Sequence, residues 1–433
     1  MTPSARLSAA IEILADIEAK RRPAADALKD WGLSHRFAGS GDRAAIAGLV
    51  YDALRRKASS AWLMGEDTPR AIVLGMLKRE RGLDAAAISR LCDASRFAPA
   101  PLNADEAARL ETGSIEGAPA HVAGDYPEWL DPHLATTFGD ERAEEGAALA
   151  SRAPLDLRVN TLKSDREAAA AALADLHAEP TRWAPSGLRI VLGAGARSPA
   201  VHAEPAFLKG WVEVQDEGSQ LAALFAAAKP GEQVVDLCAG SGGKTLALAM
   251  HMGNHGQIHA TDSDKRRLAP IHDRIERSGA RNIQVHTPRS SGDVLGALGG
   301  SADLVLVDAP CTGSGAWRRN PDAKWRVRPG ALEQRVIEQG EVLDRASALV
   351  KPGGRIAYIT CSLLDAENGA QASAFLARHP GFAVIPPEET MTPLGERAFL
   401  FRRAALVTAE GLLMTPRRTD TDGFFVAMLR RSS

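Results

Sequence analysis

Two of the four cysteines in this chain stand where a thiol could do chemistry. Cys311 lies in Asp308-Ala309-Pro310-Cys311-Thr312-Gly313, just after the apolar run Leu304–Val307. Cys361 lies in Tyr358-Ile359-Thr360-Cys361-Ser362, just after another apolar run. Both read as thiols at the carboxyl ends of buried parallel strands, the edge where open α/β sheets bind ligands. A third, Cys238, opens a glycine-rich turn after a third such strand. Thiols on that edge suit covalent chemistry beside a bound cofactor, because the thiolate is a strong nucleophile. A lone cysteine at a strand end is more often a small buried hydrophobe. Two of them, each flanked by its own motif, favour catalysis. Cys92 sits in a helical context and reads as structural, and His35 and His121 have no ligand-like neighbours in the sequence.

The turn that Cys238 opens is Val234-Val235-Asp236-Leu237-Cys238-Ala239-Gly240-Ser241-Gly242-Gly243-Lys244-Thr245, a strand, a tight glycine turn and a helix start. Glycines here let the backbone approach a ligand closely. A phosphate loop needs glycine five positions before Gly243, where Cys238 stands, and the dinucleotide pattern needs glycine three after Gly242, where Thr245 stands. Nineteen residues after Gly243, at the end of the next strand, comes Asp262. An acid there accepts hydrogen bonds from ribose hydroxyls. A ribose acid without a phosphate loop fits a nucleoside cofactor that lacks phosphates, namely S-adenosylmethionine.

These residues need a parallel sheet to hold them. From about Asp216 the chain alternates strands and helices, with strands expected at Val234–Leu237, Gln257–Thr261, Asn282–Val285, Leu304–Val307 and Arg355–Thr360, and a late antiparallel strand at Phe424–Leu429. This pattern predicts a doubly wound α/β catalytic domain over residues 216–433. A small α/β module is expected over 140–215, from strands at Leu155–Val159, Leu188–Leu192 and Val212–Val214 and a helix at Asp165–Leu176. Residues 1–130 read as all-helical. Leu7, Ile11, Leu14 and Ile17 recur at helical spacing, as do Ile46, Leu49, Val50 and Leu54, with Asp42 as the expected cap. The stretch Gly113–Pro132, rich in Gly, Pro and Ala, reads as a linker.

Composition limits the function classes. The chain has 433 residues and a formal net charge of −2, so nucleic-acid binding must use local patches. Gly313–Gly330 is one, with Arg318, Arg319, Lys324, Arg326 and Arg328 against Asp322, interleaved with Trp317 and Trp325. It reads either as a solvated basic loop or as a surface that stacks RNA bases, and the tryptophans read equally as core packing. No run of about 18 uncharged apolar residues predicts a membrane span, and Met1–Ala10 has no secretion signal. The cysteines form no Cys-x-x-Cys pair, which argues against a zinc ribbon or a disulfide scaffold; no metal is expected, and a reducing cytoplasm is the simplest setting.

On these residues the C-terminal half resembles the Sun family of RNA (cytosine-5) methyltransferases. The shared motifs are Asp236–Thr245, Asp262, Asp308-Ala309-Pro310-Cys311 and Thr360-Cys361-Ser362. Leu157-Arg158-Val159-Asn160-Thr161, Gln215-Asp216-Glu217-Gly218-Ser219-Gln220, Arg318-Arg319-Asn320-Pro321-Asp322 and Trp325 are also similar to it. The N-terminal helices, with Asp42-Arg43 and Tyr51-Asp52-Ala53-Leu54-Arg55, resemble a NusB-type domain, which points to the RsmB-like branch that acts on small-subunit ribosomal RNA.

The resemblance implies an enzyme with a Rossmann-like methyltransferase domain, an RRM-like module and a NusB-like domain; a monomer is expected, though the sequence does not give the oligomeric state. It implies that S-adenosylmethionine is held by Cys238, Ala239, Gly240, Ser241, Gly242, Gly243, Lys244, Asp262 and Asp308. It implies Cys361 as the nucleophile that adds to carbon 6 of cytosine and Cys311 as the residue that helps remove the carbon-5 proton. Asp308 would hydrogen-bond the base near ring nitrogen 3, and Lys244 would aid electrostatically. Sequence alone does not say which thiol attacks first. The target base must be unstacked for attack.

The chain departs from the family at two places. Its turn is Gly240-Ser241-Gly242-Gly243-Lys244 instead of Ala-Pro-Gly-Gly-Lys. The acid expected after the third strand is replaced by Val285-His286-Thr287-Pro288-Arg289, with Asp293 out of register. Rival readings are the same chemistry on transfer RNA or on uracil, and a catalytically silent RNA-binding assembly factor. The presence of both cysteines argues against the last.

Overall fold

The computed structural model describes residues 1–193, 198–288 and 294–433. The chain divides into two compact units. One holds Met1–Arg152 together with Trp317–Arg328; the other holds Ala153–Leu192, Ser198–Ala316 and Pro329–Ser433.

The first unit is helical. Pro3–Lys20, Ser40–Arg55 and Pro69–Arg79 bury Leu7, Leu14, Ile46, Val50, Ile72 and Leu74 in a common core, the first four at the helical spacing read from the sequence. Two sequence expectations change here. Helix Ser40–Arg55 begins after Gly39, and Asp42 lies inside its first turn. The Asp42 carboxylate accepts from Arg6 Nε at 2.8 Å, so it bridges two helices and does not cap its own. The stretch read as a linker is folded, with helix Ala120–Ala123 and a 3₁₀ turn at Glu128–Leu130. Val122, Tyr126, Leu130 and Leu134 recur every fourth residue and are all buried, a signal that the Gly and Pro content masks.

The second unit carries two sheets. Strands β1 (Leu155–Val159), β2 (Glu179–Pro180), β3 (Gly187–Ile190) and β4 (Val212–Val214) form an antiparallel sheet in the order β2-β3-β1-β4. The expected helix between β1 and β2 is Arg166–Ala172 followed by a 3₁₀ turn, with Asp165 as its cap.

The larger sheet has nine strands among the described residues: β5 (Gln233–Asp236), β6 (Gln257–Thr261), β7 (Ile283–His286), β8 (Ala302–Asp308), β9 (Val350–Thr360), β10 (Phe382–Val384), β11 (Leu406–Val407), β12 (Leu412–Met414) and β13 (Phe424–Arg431). Its parallel part runs β9-β8-β5-β6-β7, and β13 adds antiparallel to β9. The apolar runs of β8 and β9 are fully buried, as strands covered on both faces must be. The chain leaves β5 toward β6 and returns to its other side as β8, so the order reverses between β5 and β8. That switch point opens a crevice at the strands' carboxyl ends. The fold is therefore a Rossmann-like α/β sheet preceded by a helical region. Among the described residues, no helix is long and apolar enough to cross a membrane.

Candidate active site

Neighbouring strands β8 and β9 deliver the two cysteines to one place. Their parallel pairing sets Asp308 opposite Ile359, and the Ala309 N–H donates to the Ile359 carbonyl at 2.8 Å. The Cys311 and Cys361 sulfurs then stand 3.4 Å apart, both half-buried and neither in a disulfide. The hydrogen bond with Cys361, followed by desolvation and the charges of Cys361 and Glu367, pushes the Cys311 thiol well above its ordinary range. A thiol so held keeps its proton.

Asp308 joins this pair to the glycine turn. Its Oδ2 lies 2.7 Å from Lys244 Nζ, an ion pair between a partly exposed carboxylate and a buried ammonium. Lys244 comes from helix Gly243–His251, which follows β5, and its Nζ also lies 4.9 Å from the Phe424 ring centre. The turn bends through Gly242 at φ +88°, where a Cβ would meet Ile271 at 2.5 Å. Only glycine suits that position.

Asp262, at the end of β6, is buried. Its Oδ2 accepts from the Gly240 N–H and its Oδ1 from the Asp264 N–H, both at 2.9 Å. Each oxygen keeps lone-pair capacity for a diol. Asp236 accepts from Thr245 Oγ1 at 2.7 Å, and burial pushes its carboxyl up to about 7. Burial likewise raises the Cys238 thiol, aided by Asp236, Asp308 and Asp262, so Cys238 stays protonated and serves the turn rather than nucleophilic attack. A carboxylate fixed beside a glycine turn, with two further acids, Asp236 and Asp308, close by and no phosphate cradle among the described residues, fits the ribose and sulfonium of S-adenosylmethionine.

On the adenine side, His286 ends β7 and its Nε2 lies 3.0 Å from His259 Nδ1, so imidazoles stand near where the family has an acid. Arg289 and Asp293 lie outside the described residues. Among the described residues, no group of three or more His, Cys, Asp or Glu is arranged to hold a metal ion.

The tryptophans of the basic stretch are engaged within the helical unit. Trp317, Arg318 and Lys324 are buried, and Trp325 packs on the helical core. Trp325 Nε1 donates to the Leu54 carbonyl at 2.7 Å and Lys324 Nζ to the Arg55 carbonyl at 3.0 Å. These are orphan acceptors at the end of helix Ser40–Arg55, so the segment caps that helix. The core-packing alternative for the tryptophans therefore holds.

Several supporting residues escaped the sequence reading. Arg158 Nη1 donates to the Gly243 carbonyl at 2.7 Å and braces the turn from behind. The Leu363 N–H donates to Ser314 Oγ at 2.8 Å, and the Gly315 N–H to the Cys361 carbonyl at 2.9 Å, stitching the two cysteine turns together. Asn368 Nδ2 donates to the Ser362 carbonyl at 2.9 Å. The one available signal was the polar pair Glu367-Asn368 between apolar Leu363–Leu364 and a helix.

Comparison with known proteins bears on this arrangement. Residues 223–430 match the family model described as 16S rRNA methyltransferase RsmB/F. Residues 126–194 match its ferredoxin-like domain. A relative in Synechocystis named probable ribosomal RNA small subunit methyltransferase B is 34% identical over 310 residues, which is 71% of this chain and 67% of that protein. The ribosomal RNA small subunit methyltransferase B of Sodalis glossinidius is 34% identical over 70% of this chain and 65% of its own length. The matches thus span about two thirds of these relatives. The crystal structure of PH0851 superposes with a TM-score of 0.72 at 26% identity, covering 100% of this chain and 99% of that one. With the cysteine pair, the Lys244–Asp308 bridge and the Asp262 turn in place on this sheet, the chain belongs to the RsmB/F family of ribosomal RNA methyltransferases.

Proposed function

We propose that this chain, a member of an S-adenosylmethionine-dependent family, methylates carbon 5 of a cytosine in small-subunit ribosomal RNA through a covalent cysteine–base adduct. The observation that carries this reading is the 3.4 Å approach of the Cys311 and Cys361 sulfurs beside the Lys244–Asp308 pair. Carbon 5 of cytosine is a poor nucleophile. Addition of the Cys361 thiolate to carbon 6 makes it enamine-like. Asp308 accepts from or donates to the base edge at ring nitrogen 3, and Lys244 stabilises the charge that develops there. When bound at Asp262 and the Gly240–Lys244 turn, S-adenosylmethionine supplies the methyl group as an electrophile.

The pairing of the thiols orders the later step. The foremost cause holding the proton on Cys311 is its hydrogen bond with Cys361. Once the Cys361 sulfur is bonded to carbon 6, it is a neutral thioether and that hold weakens. Cys311 then ionises more easily and takes the carbon-5 proton, after which the carbon–sulfur bond breaks and the base is released.

The test is methyl transfer from labelled S-adenosylmethionine to small-subunit RNA from cells lacking this gene, with 5-methylcytosine mapped. Cys361→Ala lowers transfer to background, and Cys311→Ala accumulates a protein–RNA adduct. Transfer that survives Cys361→Ala would overturn the adduct mechanism. Transfer to transfer RNA alone would overturn the substrate.

A further inference from the structure

Glu367 is fully buried, six residues after Cys361 and in a 3₁₀ turn. Its Oε1 accepts from the Thr312 N–H at 2.8 Å and from Gln339 Nε2 at 3.1 Å. Its Oε2 accepts from Thr312 Oγ1 at 2.5 Å and from Ser362 Oγ. Thr312 directly follows Cys311, and Ser362 directly follows Cys361. Gln339 Nε2 also donates to the Pro310 carbonyl at 2.9 Å, on the other side of Cys311. The Tyr358 hydroxyl donates to the Glu367 main-chain carbonyl at 2.5 Å and fixes the turn to β9.

We propose that Glu367 is the positioning residue of the thiol pair: its carboxylate ties the Cys311 turn to the Cys361 turn and so sets the sulfur–sulfur approach. This inference rests on the reading of Cys361 and Cys311 given above. A buried carboxylate costs several kcal/mol of desolvation unless its oxygens are satisfied, and here both are. All four donors are neutral, so a glutamine of the same shape could make a comparable set of bonds. Retention of a charge where a neutral side chain would serve the packing points to a use for the charge. It stands beside Cys311, and there it favours the protonated thiol. Glu367 thereby both spaces the sulfurs and adds to the hold that the Cys361 hydrogen bond has on the Cys311 proton.

The experiment compares Glu367→Gln with Glu367→Asp. Glu367→Gln keeps shape and removes charge. It is expected to lower kcat about 100-fold, the low end of what proton transfer by a correctly protonated side chain contributes, with the KM for RNA and for S-adenosylmethionine within about twofold. The rate of Cys311 alkylation by iodoacetamide, followed by peptide mass, should shift its pH midpoint downward. Glu367→Asp keeps the charge and shortens the reach. It should lose kcat without the downward shift. Should Glu367→Gln fail to fold, Thr312→Val and Ser362→Ala each remove one arm of the clamp and should each lower kcat at unchanged KM. A Glu367→Gln protein with wild-type kcat and an unchanged alkylation profile overturns the inference. So does one whose lost activity is matched by its lost folded fraction, with the folded fraction alkylated as in wild type. Alkylation is read on RNA-free protein. It therefore decides the role of Glu367 even if Cys361→Ala retains methyl transfer, the result that would instead sink the adduct mechanism.

Discussion

Lys244, in the glycine turn, and Lys324, in the segment that follows the Cys311 turn, are 8% and 1% exposed. Lys244 meets a carboxylate, Asp308, at 2.7 Å on a partly open sheet edge. Lys324 donates to the Arg55 carbonyl, and burial pushes its amine down to about 7. The first arrangement stores a charge pair where a ligand can reach it. The second uses an amine as a tether for helix-end carbonyls and sacrifices much of its charge to do so. Burial of a lysine is thus no sign of function by itself. An ionised partner at the mouth of a crevice is the informative feature.

The largest test of that contrast is a pair of substitutions. Lys244→Met should lower kcat for methyl transfer by about 10²–10³-fold, the usual cost of removing one electrostatic stabiliser, while the fold persists. Lys324→Met should leave kcat within about threefold. Steady-state kinetics with labelled S-adenosylmethionine compares them directly. Equal losses would break the contrast and return the Trp317–Arg328 segment to the catalytic machinery.

The sequence carried the parallel sheet well and the bracing poorly, for a physical reason. Strands β5, β8 and β9 carry buried apolar runs and, with β6, end at Asp or Thr, so their ends, and with them Cys311, Cys361 and Asp262, could be read locally. Glu367 could not, because its partners Thr312 and Gln339 lie 55 and 28 residues away and no local pattern links them. The stretch Trp317–Arg328 was legible as basic and aromatic. Its fate depended on the unpaired carbonyls of Leu54 and Arg55, more than 260 residues earlier. Charge density marks what a segment could bind; it does not say that the binder is the protein's own helix end.

A smaller effect sharpens the comparison from the thiol side. Gly315 closes on Gly423, where a Cβ would stand 2.2 Å from the Gly423 carbonyl oxygen, and its N–H holds the Cys361 carbonyl. Gly315→Ala must push that backbone aside, at about 1–3 kcal/mol of stability. Urea denaturation should show the loss, and kcat should fall with it because the Cys361 turn moves. A variant that unfolds at the wild-type midpoint would mean that the thiol edge yields freely and is not rigidly braced.

The smallest effect is a pH slope belonging to Lys324. Its folded-state value is about 7, against about 10.5 when solvated. Between those values the unfolded chain holds a proton that the folded chain has released, so stability rises with pH, by at most about 1.4 kcal/mol per unit. Below about 7 both states are protonated, and the fold carries the full cost of a buried ammonium. Above about 10.5 neither is, and the cost is gone. Unfolding free energies from urea at pH 7.5, 8.5 and 9.5 should therefore climb more steeply in wild type than in Lys324→Met, which has nothing to titrate at that position. Parallel slopes in the two proteins would mean that Lys324 keeps its proton in the fold. The ammonium would then be stabilised where it lies, and the distinction drawn between the two lysines would fail.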